Sequence, residues 1–354
     1  MKLFEPTTLG KISLSNHVVM APMTRCRAIG NIPNDYMATY YAQRASAGLI
    51  ITEGTAPSPN GLGYARIPGC FNEAQVAGWK KVTKAVHEKN GKIFLQLMHT
   101  GRASHVENML PGTKVLAPSA IALSGTIWTD SKNMQSYPVP QEMTQADINL
   151  TISEFAHSAQ LAIQAGFDGV ELHAANGYLL EEFLNPKCNK RDDEYGQNRM
   201  RFVLEVAQAV SKKIGGDKTG IRISPYGVFN DTGEFPGIDE FYTEFSKHLS
   251  DLGLVYVHMV DHSDQGAPPV SADLKRKIRE TFKGTYILSG GYNAEKAEHD
   301  LLEKKGDLVA FGRPFIANPD LVTKLKNKTA LTTADQAKFY TPGPEGYSDY
   351  NFSS

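Results

Sequence analysis

The chain has 354 residues and carries 37 Lys+Arg against 38 Asp+Glu, a formal net charge of −1. That balance excludes a nucleic-acid binder that relies on a strongly basic face. With 41% hydrophobic and 21% charged residues the chain can bury a core, and no run approaches the ~20 apolar residues of a membrane span.

Short apolar runs alternate with helix-length amphipathic stretches. In chain order, a strand over 17–22 precedes a helix over 35–47, and a strand over 48–54 precedes a helix over 73–90. Strand 92–98 leads to helix 144–165, and strand 169–175 to helix 198–214. Strands 219–224, 254–260, 285–290 and 307–312 are followed by helices 237–252, 271–281, 293–304 and 319–327. The clearest helix is 144–165. Thr144 and Asp147 make a capping box, and Ile148, Ile152, Phe155, Ala159 and Ala162 share one face before Gly166.

Eight strand–helix units point to a single α/β domain over 1–354, a (β/α)8 TIM barrel. A doubly wound sheet is the competing layout, but neither G-x-G-x-x-G nor a P-loop is present. Two regions exceed what a barrel needs: a loop excursion over 99–143 and a C-terminal tail over 328–354. Both are expected over the active-site face.

The N-terminal residues hold no continuous apolar run of the secretory type. Cys26, Cys70 and Cys188 form no C-x-x-C pair, so no metal centre is expected. Their sparse, odd number fits reduced thiols in the cytoplasm.

A barrel gathers its chemistry at the carboxyl ends of its strands. Those ends carry Pro22-Met23-Thr24, Glu53-Gly54-Thr55, Gln96 with His99, His173 with Asn176 and Tyr178, and Arg222. Arg222 sits inside an apolar run, where a guanidinium needs an anion or several acceptors. Gly290-Gly291 and Gly312-Arg313 end the last two strands. Glycines there let backbone N–H groups approach an anion closely, and barrels often hold a phosphate at this place. On their own these residues say a phosphorylated ligand or cofactor.

The segment HAANGYLLEEFLNP (173–186) completes a pattern with APMTR (21–25), YYAQRASAGLIITE (40–53), QLMHTGR (96–102), RISPYG (222–227), AFGRPFIANPDL (310–321) and EGYSDY (345–350). In that order and over nearly the whole chain, it resembles the old yellow enzyme family of FMN-dependent ene reductases, of the N-ethylmaleimide reductase-like kind.

The resemblance implies FMN held non-covalently by Pro22, Met23, Thr24, Gly54, Gln96, Arg222, Gly290, Gly291, Gly312 and Arg313. It implies NADPH or NADH as reductant. His173 and Asn176 would hold the oxygen of a carbonyl, nitro or imide group on an activated alkene. Hydride would pass from the flavin to Cβ, with Tyr178 giving a proton to Cα. Tyr64, Met98 and Tyr340 would line the substrate pocket. Phenols are expected as inhibitors, and a monomer or homodimer as the assembly. A quinone reductase with no true alkene substrate and a non-catalytic flavin binder are the alternatives. Met98 stands where many relatives have Trp, which implies a roomier pocket.

Overall fold

The computed structural model describes residues 1–352, so the last two residues of the expected tail lie outside the described residues. Eight parallel strands close on themselves. They are β1 Val18–Met20, β2 Leu49–Ile51, β3 Ile93–Leu97 and β4 Gly169–Ala174. They continue as β5 Thr219–Ile223, β6 Tyr256–Val260, β7 Thr285–Ser289 and β8 Leu308–Phe311. Each pairs with its chain neighbours, and β8 returns to β1 with Ala310 beside Val19. The doubly wound alternative is thereby excluded.

The eight main helices are α1 Asp35–Gln43, α2 Glu73–His87, α3 Gln145–Gln164 and α4 Arg201–Ile214. The others are α5 Ile238–Asp251, α6 Ala272–Thr281, α7 Ala294–Leu302 and α8 Leu321–Asn327. In α3 the capping box is present in both directions, and Ile148, Phe155, Ala159 and Ala162 are buried. The strands are short apolar runs because both faces are covered, helices outside and side chains within.

The barrel interior shows the two-residue period of a strand. Val19, Leu49, Phe94, Tyr256, Ile287 and Leu308 form an apolar lower layer. Gly169 and Gly220 leave room for it: a Cβ would come within 2.5 Å of the Phe94 ring and 2.2 Å of the Tyr256 ring. An N-terminal hairpin, Thr7–Leu9 with Ile12–Leu14, adds Leu9 and Leu14 to this layer. The bottom is thus sealed with hydrocarbon, and the polar residues of the same strands lie toward the other end.

The excursion and the tail dress the open end. Within 99–143 a second hairpin pairs Thr126–Thr129 with Asn133–Ser136. The tail is stapled down by two buried arginines. Arg25 donates to the carbonyls of Phe339 (3.0 Å) and Gly346 (2.6 Å). Arg27 donates to those of Lys338 (2.8 Å), Phe339 (2.5 Å), Gly343 (3.2 Å) and Glu345 (3.0 Å). Tyr347 stacks on Tyr40 with ring centroids 4.0 Å apart. Among the described residues no helix is long and apolar enough to cross a membrane.

Candidate active site

The open end holds a cavity of about 730 Å³, within the ~300–1,000 Å³ typical of small-molecule sites. Its floor is polar because β3, β4, β5 and β6 each place a polar side chain one pleat above the apolar layer. Gln96 Nε2 donates to Glu171 Oε1 at 2.8 Å. His258 Nδ1 lies 2.8 Å from Glu171 Oε2, and both side chains are fully buried. Burial and the Arg222 charge hold the His258 pKa below its ordinary value although Glu171 opposes them, so a neutral ring donates its Nδ1–H. Burial raises the Glu171 pKa, but His258, Arg222 and Gln96 together leave it below the ordinary carboxylate value.

Glu171 is therefore the anion that the Arg222 position requires. Arg222 stands between His173 and His258 in the strand register. Its Nε is buried without a partner among the described residues. Gln96 spends an amide hydrogen on Glu171 and keeps its carbonyl oxygen as an acceptor.

Above this floor sit two oxygen-binding side chains. His173 ends β4, with Nδ1 buried and unpartnered. Burial first and Arg222 second push its pKa well down, so the ring is neutral. Asn176 follows in a turn where it and Gly177 take positive φ, 60° and 71°. Asparagine tolerates that region better than most side chains. Several hydrogen bonds hold the turn. Asn176 N donates to Ser224 Oγ (2.9 Å), Ser224 Oγ donates to Glu181 Oε1 (2.9 Å), and Gly177 N donates to Glu181 Oε2 (2.6 Å).

His262, just past β6, fixes the direction of the amide. Gln265 Nε2 lies 3.3 Å from His262 Nδ1 and can only donate there. The ring proton is then on Nε2, which faces Asn176 Oδ1 at 2.7 Å. Asn176 Nδ2 is left free to donate.

Tyr178 stands beside this pair, its ring centroid 4.9 Å from that of His173 and 6.1 Å from that of Tyr64. Burial pushes its phenol up to about 12, with Tyr64 opposing by a hydrogen bond. At neutral pH it is a proton donor that yields only to a strong base.

At the far side, Gly290 and Gly291 have φ of 120° and 59°. A Cβ on Gly290 would lie 2.0 Å from the carbonyl oxygen of Asp261, so no other residue fits. Arg313 is exposed beside Gly312, and Lys296 Nζ reaches to 3.5 Å from the Gly290 carbonyl. Asp264 and Arg313 both line the same end.

Pro22, Met23, Thr24, Gln96, Arg222, Gly290, Gly291, Gly312 and Arg313 all line the cavity. His173, Asn176, Tyr178, Tyr64, Met98 and Tyr340 line it too. Gly54 does not: a Cβ there would lie 2.4 Å from Met98 Sδ, so this glycine seats Met98 and is screened by it. Met98 is buried against Ala56, Leu62 and Ile67 rather than loosely placed. His99 and Glu53, also at strand ends, point elsewhere; Glu53 accepts from Tyr41 Oη at 3.1 Å. The three cysteines are free and buried, and burial lifts each thiol to about 12. No group of three metal-binding side chains occurs among the described residues.

The sequence reading missed Glu171, His258 and His262. Their signal was present as a strand-interior glutamate, a strand-interior histidine and a histidine just after the sixth strand. Each becomes meaningful only beside its partner.

The chain was then compared with known proteins. Residues 2–332 match the model of the NADH:flavin oxidoreductase / NADH oxidase family. A chanoclavine-I aldehyde reductase of Penicillium roqueforti is 40% identical, covering 100% of this chain and 97% of that protein. Morphinone reductase in complex with tetrahydroNAD superposes with a TM-score of 0.94 at 38% identity, over 100% of this chain and 98% of the other. An old yellow enzyme homologue from Zymomonas mobilis gives the same TM-score, 0.94, at 38% identity over 100% of both chains.

Proposed function

This chain belongs to the NADH:flavin oxidoreductase / NADH oxidase family, and we propose that it is an FMN-dependent reductase of alkenes activated by a carbonyl, nitro or imide group. The observation that carries this reading is the convergence of two neutral oxygen-binding side chains, His173 and Asn176, with the phenol of Tyr178 above the buried Arg222.

The residues present fit FMN. The unpartnered Arg222 Nε and the free acceptor of Gln96 match the pyrimidine edge of an isoalloxazine. The Gly290–Gly291 turn, which excludes a Cβ, and the cations Arg313 and Lys296 match a phosphate. Pro22, Met23 and Thr24 flank the ring position, and Thr24 adds a hydroxyl donor. When bound, FMN supplies the redox chemistry, accepting hydride from NADPH or NADH and delivering it to the alkene.

The protein's own groups bind, orient and move a proton. His173 and Asn176 Nδ2 donate to the activating oxygen and draw charge onto it. Because both are neutral, that oxygen gains hydrogen bonds without taking a proton. Tyr178 Oη gives its proton to Cα as negative charge develops there. Arg222, balanced by Glu171, would set the charge at the pyrimidine edge of bound FMN. The same oxygen-binding pair suits a phenolate, so phenols are expected to inhibit.

The test is direct. The purified protein should show FMN absorbance, bleach with NADPH in the absence of oxygen, and recover on addition of 2-cyclohexenone. Recovery with a quinone or oxygen but not with an enone would assign the chain to quinone reduction. A yellow protein that NADPH does not bleach would be a flavin binder without this activity.

A further inference from the structure

A second space of about 830 Å³ lies beside the active-site cavity. Thr24, Tyr64, Tyr178 and Tyr340 line both, so the two are continuous past the expected proton donor. Its remaining walls come from Cys26, from Ala65 and Arg66, from the hairpin at Thr126–Asp130 and from the tail at Ala337–Pro342.

The annex presents no free charge. Arg66 is the one cation in its wall, and each part of its guanidinium is engaged. Nε donates to Cys26 O (3.0 Å), Nη1 to Asp130, and Nη2 to Tyr340 O (2.8 Å). Asp130, the one anion, also accepts from Trp128 Nε1 at 3.0 Å. What faces the space is mainly hydrocarbon and aromatic surface, including the buried Ala65 and Ile127 and the ring of Trp128, with hydroxyls added by Thr126, Tyr137 and Thr341. A phosphate or carboxylate entering it would exchange water for a few hydroxyls, with no free cation to balance its charge. An uncharged chain would meet no such penalty.

We infer that this annex receives the apolar substituent of the substrate, which makes the substrate class an activated alkene bearing an uncharged hydrocarbon chain or ring remote from its activating group. The inference rests on the alkene-reductase reading above and names its substrate class. The catalytic cavity holds the activating oxygen and the double bond. The annex, which shares Thr24, Tyr64, Tyr178 and Tyr340 with that cavity, takes what extends beyond them.

The experiment uses the holoenzyme and a series of straight-chain 2-alkenals from 2-hexenal to 2-dodecenal, with 2-cyclohexenone as a reference too small to reach the annex. Specificity (kcat/KM) should rise about three- to fourfold per added methylene until the space is full, the increment expected for burying one methylene. Ile127→Trp, which fills the annex, should flatten the series and leave 2-cyclohexenone unchanged. Ala65→Leu, a smaller intrusion from another wall, should do the same to a lesser degree.

Binding has a separate readout. Of the two tryptophans, Trp79 is fully buried and Trp128 lines the annex. Dodecanol, which cannot react, should shift the Trp128 emission, and Trp128→Phe should abolish the response. A flat alkenal series, or equal losses on 2-cyclohexenone and 2-dodecenal in both variants, would overturn the inference. So would a Trp128 response to 2′,5′-ADP equal to that of dodecanol, which would give the space to the dinucleotide. If no alkene is reduced yet dodecanol still shifts Trp128, the catalytic reading fails and the apolar site stands.

Discussion

His262 Nε2 lies 2.7 Å from Asn176 Oδ1 and decides which end of that amide faces the cavity. His262 also lines the cavity, and its hydrogen bond to Asn176 gives it a positioning role. His262→Leu should leave Asn176 in place but free to rotate, weakening phenol and enone binding by ~1 kcal/mol, the worth of one hydrogen bond. Titration of the flavin spectrum with a phenol measures this. His173→Ala should cost more, ~1–3 kcal/mol, because it removes a binding group outright.

The groups that face the substrate oxygen, His173 and Asn176 with His262 behind it, should contribute no inflection between about pH 6 and 9. Among the groups packed under the Asn176 turn, the one that titrates in this window is Glu181, pushed up to about 7 by burial. A free histidine would titrate near the lower end of that window. Burial and the nearby Arg222 instead hold His173 well below its ordinary value and His262 down to about 4. Both rings are therefore neutral throughout, and Asn176 does not titrate. The KM for 2-cyclohexenone as a function of pH checks this. An inflection near neutrality that vanishes in His173→Asn would show that His173 takes up a proton.

Tyr178→Phe should separate the two half-reactions. Reoxidation by an alkene should slow by about 10²–10⁴-fold, the usual contribution of a positioned acid, while bleaching by NADPH stays nearly intact. Stopped-flow absorbance in each direction reads both. Equal loss in the two directions would remove Tyr178 as the proton donor.

Glu171→Gln tests the charge balance of the floor. Glu171 is fully buried and balances Arg222 across the barrel. Without it, Arg222 becomes an uncompensated cation at the edge where FMN would bind. The flavin midpoint potential should move to a more positive value, because the anionic reduced ring gains from that cation. The folded state should lose ~3–5 kcal/mol, as expected when one member of a buried charged set is removed. Dye equilibration and denaturant melts measure the two effects, and an unchanged potential would refute the balance.

Arg27→Ala should release the tail. Its guanidinium reaches four tail carbonyls and Thr341 Oγ1. Limited proteolysis should then cut between Lys328 and Tyr347, where the parent protein resists. Tyr340 lines both the cavity and the annex, so KM for long alkenals should rise more than KM for 2-cyclohexenone.

Much of the site was legible because its signals are local. Runs of four to six apolar residues mark buried strands, and glycine pairs mark close backbone approach. Arg222 stood out because a guanidinium inside such a run needs an anion or several acceptors, whereas Gln96 and His173 were strand-end residues whose roles the family resemblance implied. Gly54 shows a second use of the glycine signal: a glycine at a strand end can seat a side chain as well as admit a ligand, and here it seats Met98. His262 was overlooked because a histidine just past a strand is unremarkable within its own segment, and Glu171, although inside an apolar run, takes its meaning only from His258, 87 residues on.

By itself, the sequence determined the closed barrel and the rim on which its chemistry gathers, since periodicity, capping and turn geometry are properties of neighbours in the chain, while roles for residues on that rim came from the family resemblance. Only the tertiary structure decided how those residues are oriented and charged. Asn176 and His262 are 86 positions apart, Glu171 and His258 are 87, and Arg66 and Tyr340 are 274. Hydrogen bonds and electrostatic balance act over ångströms in space, and closure of the barrel is what brings such distant partners within reach.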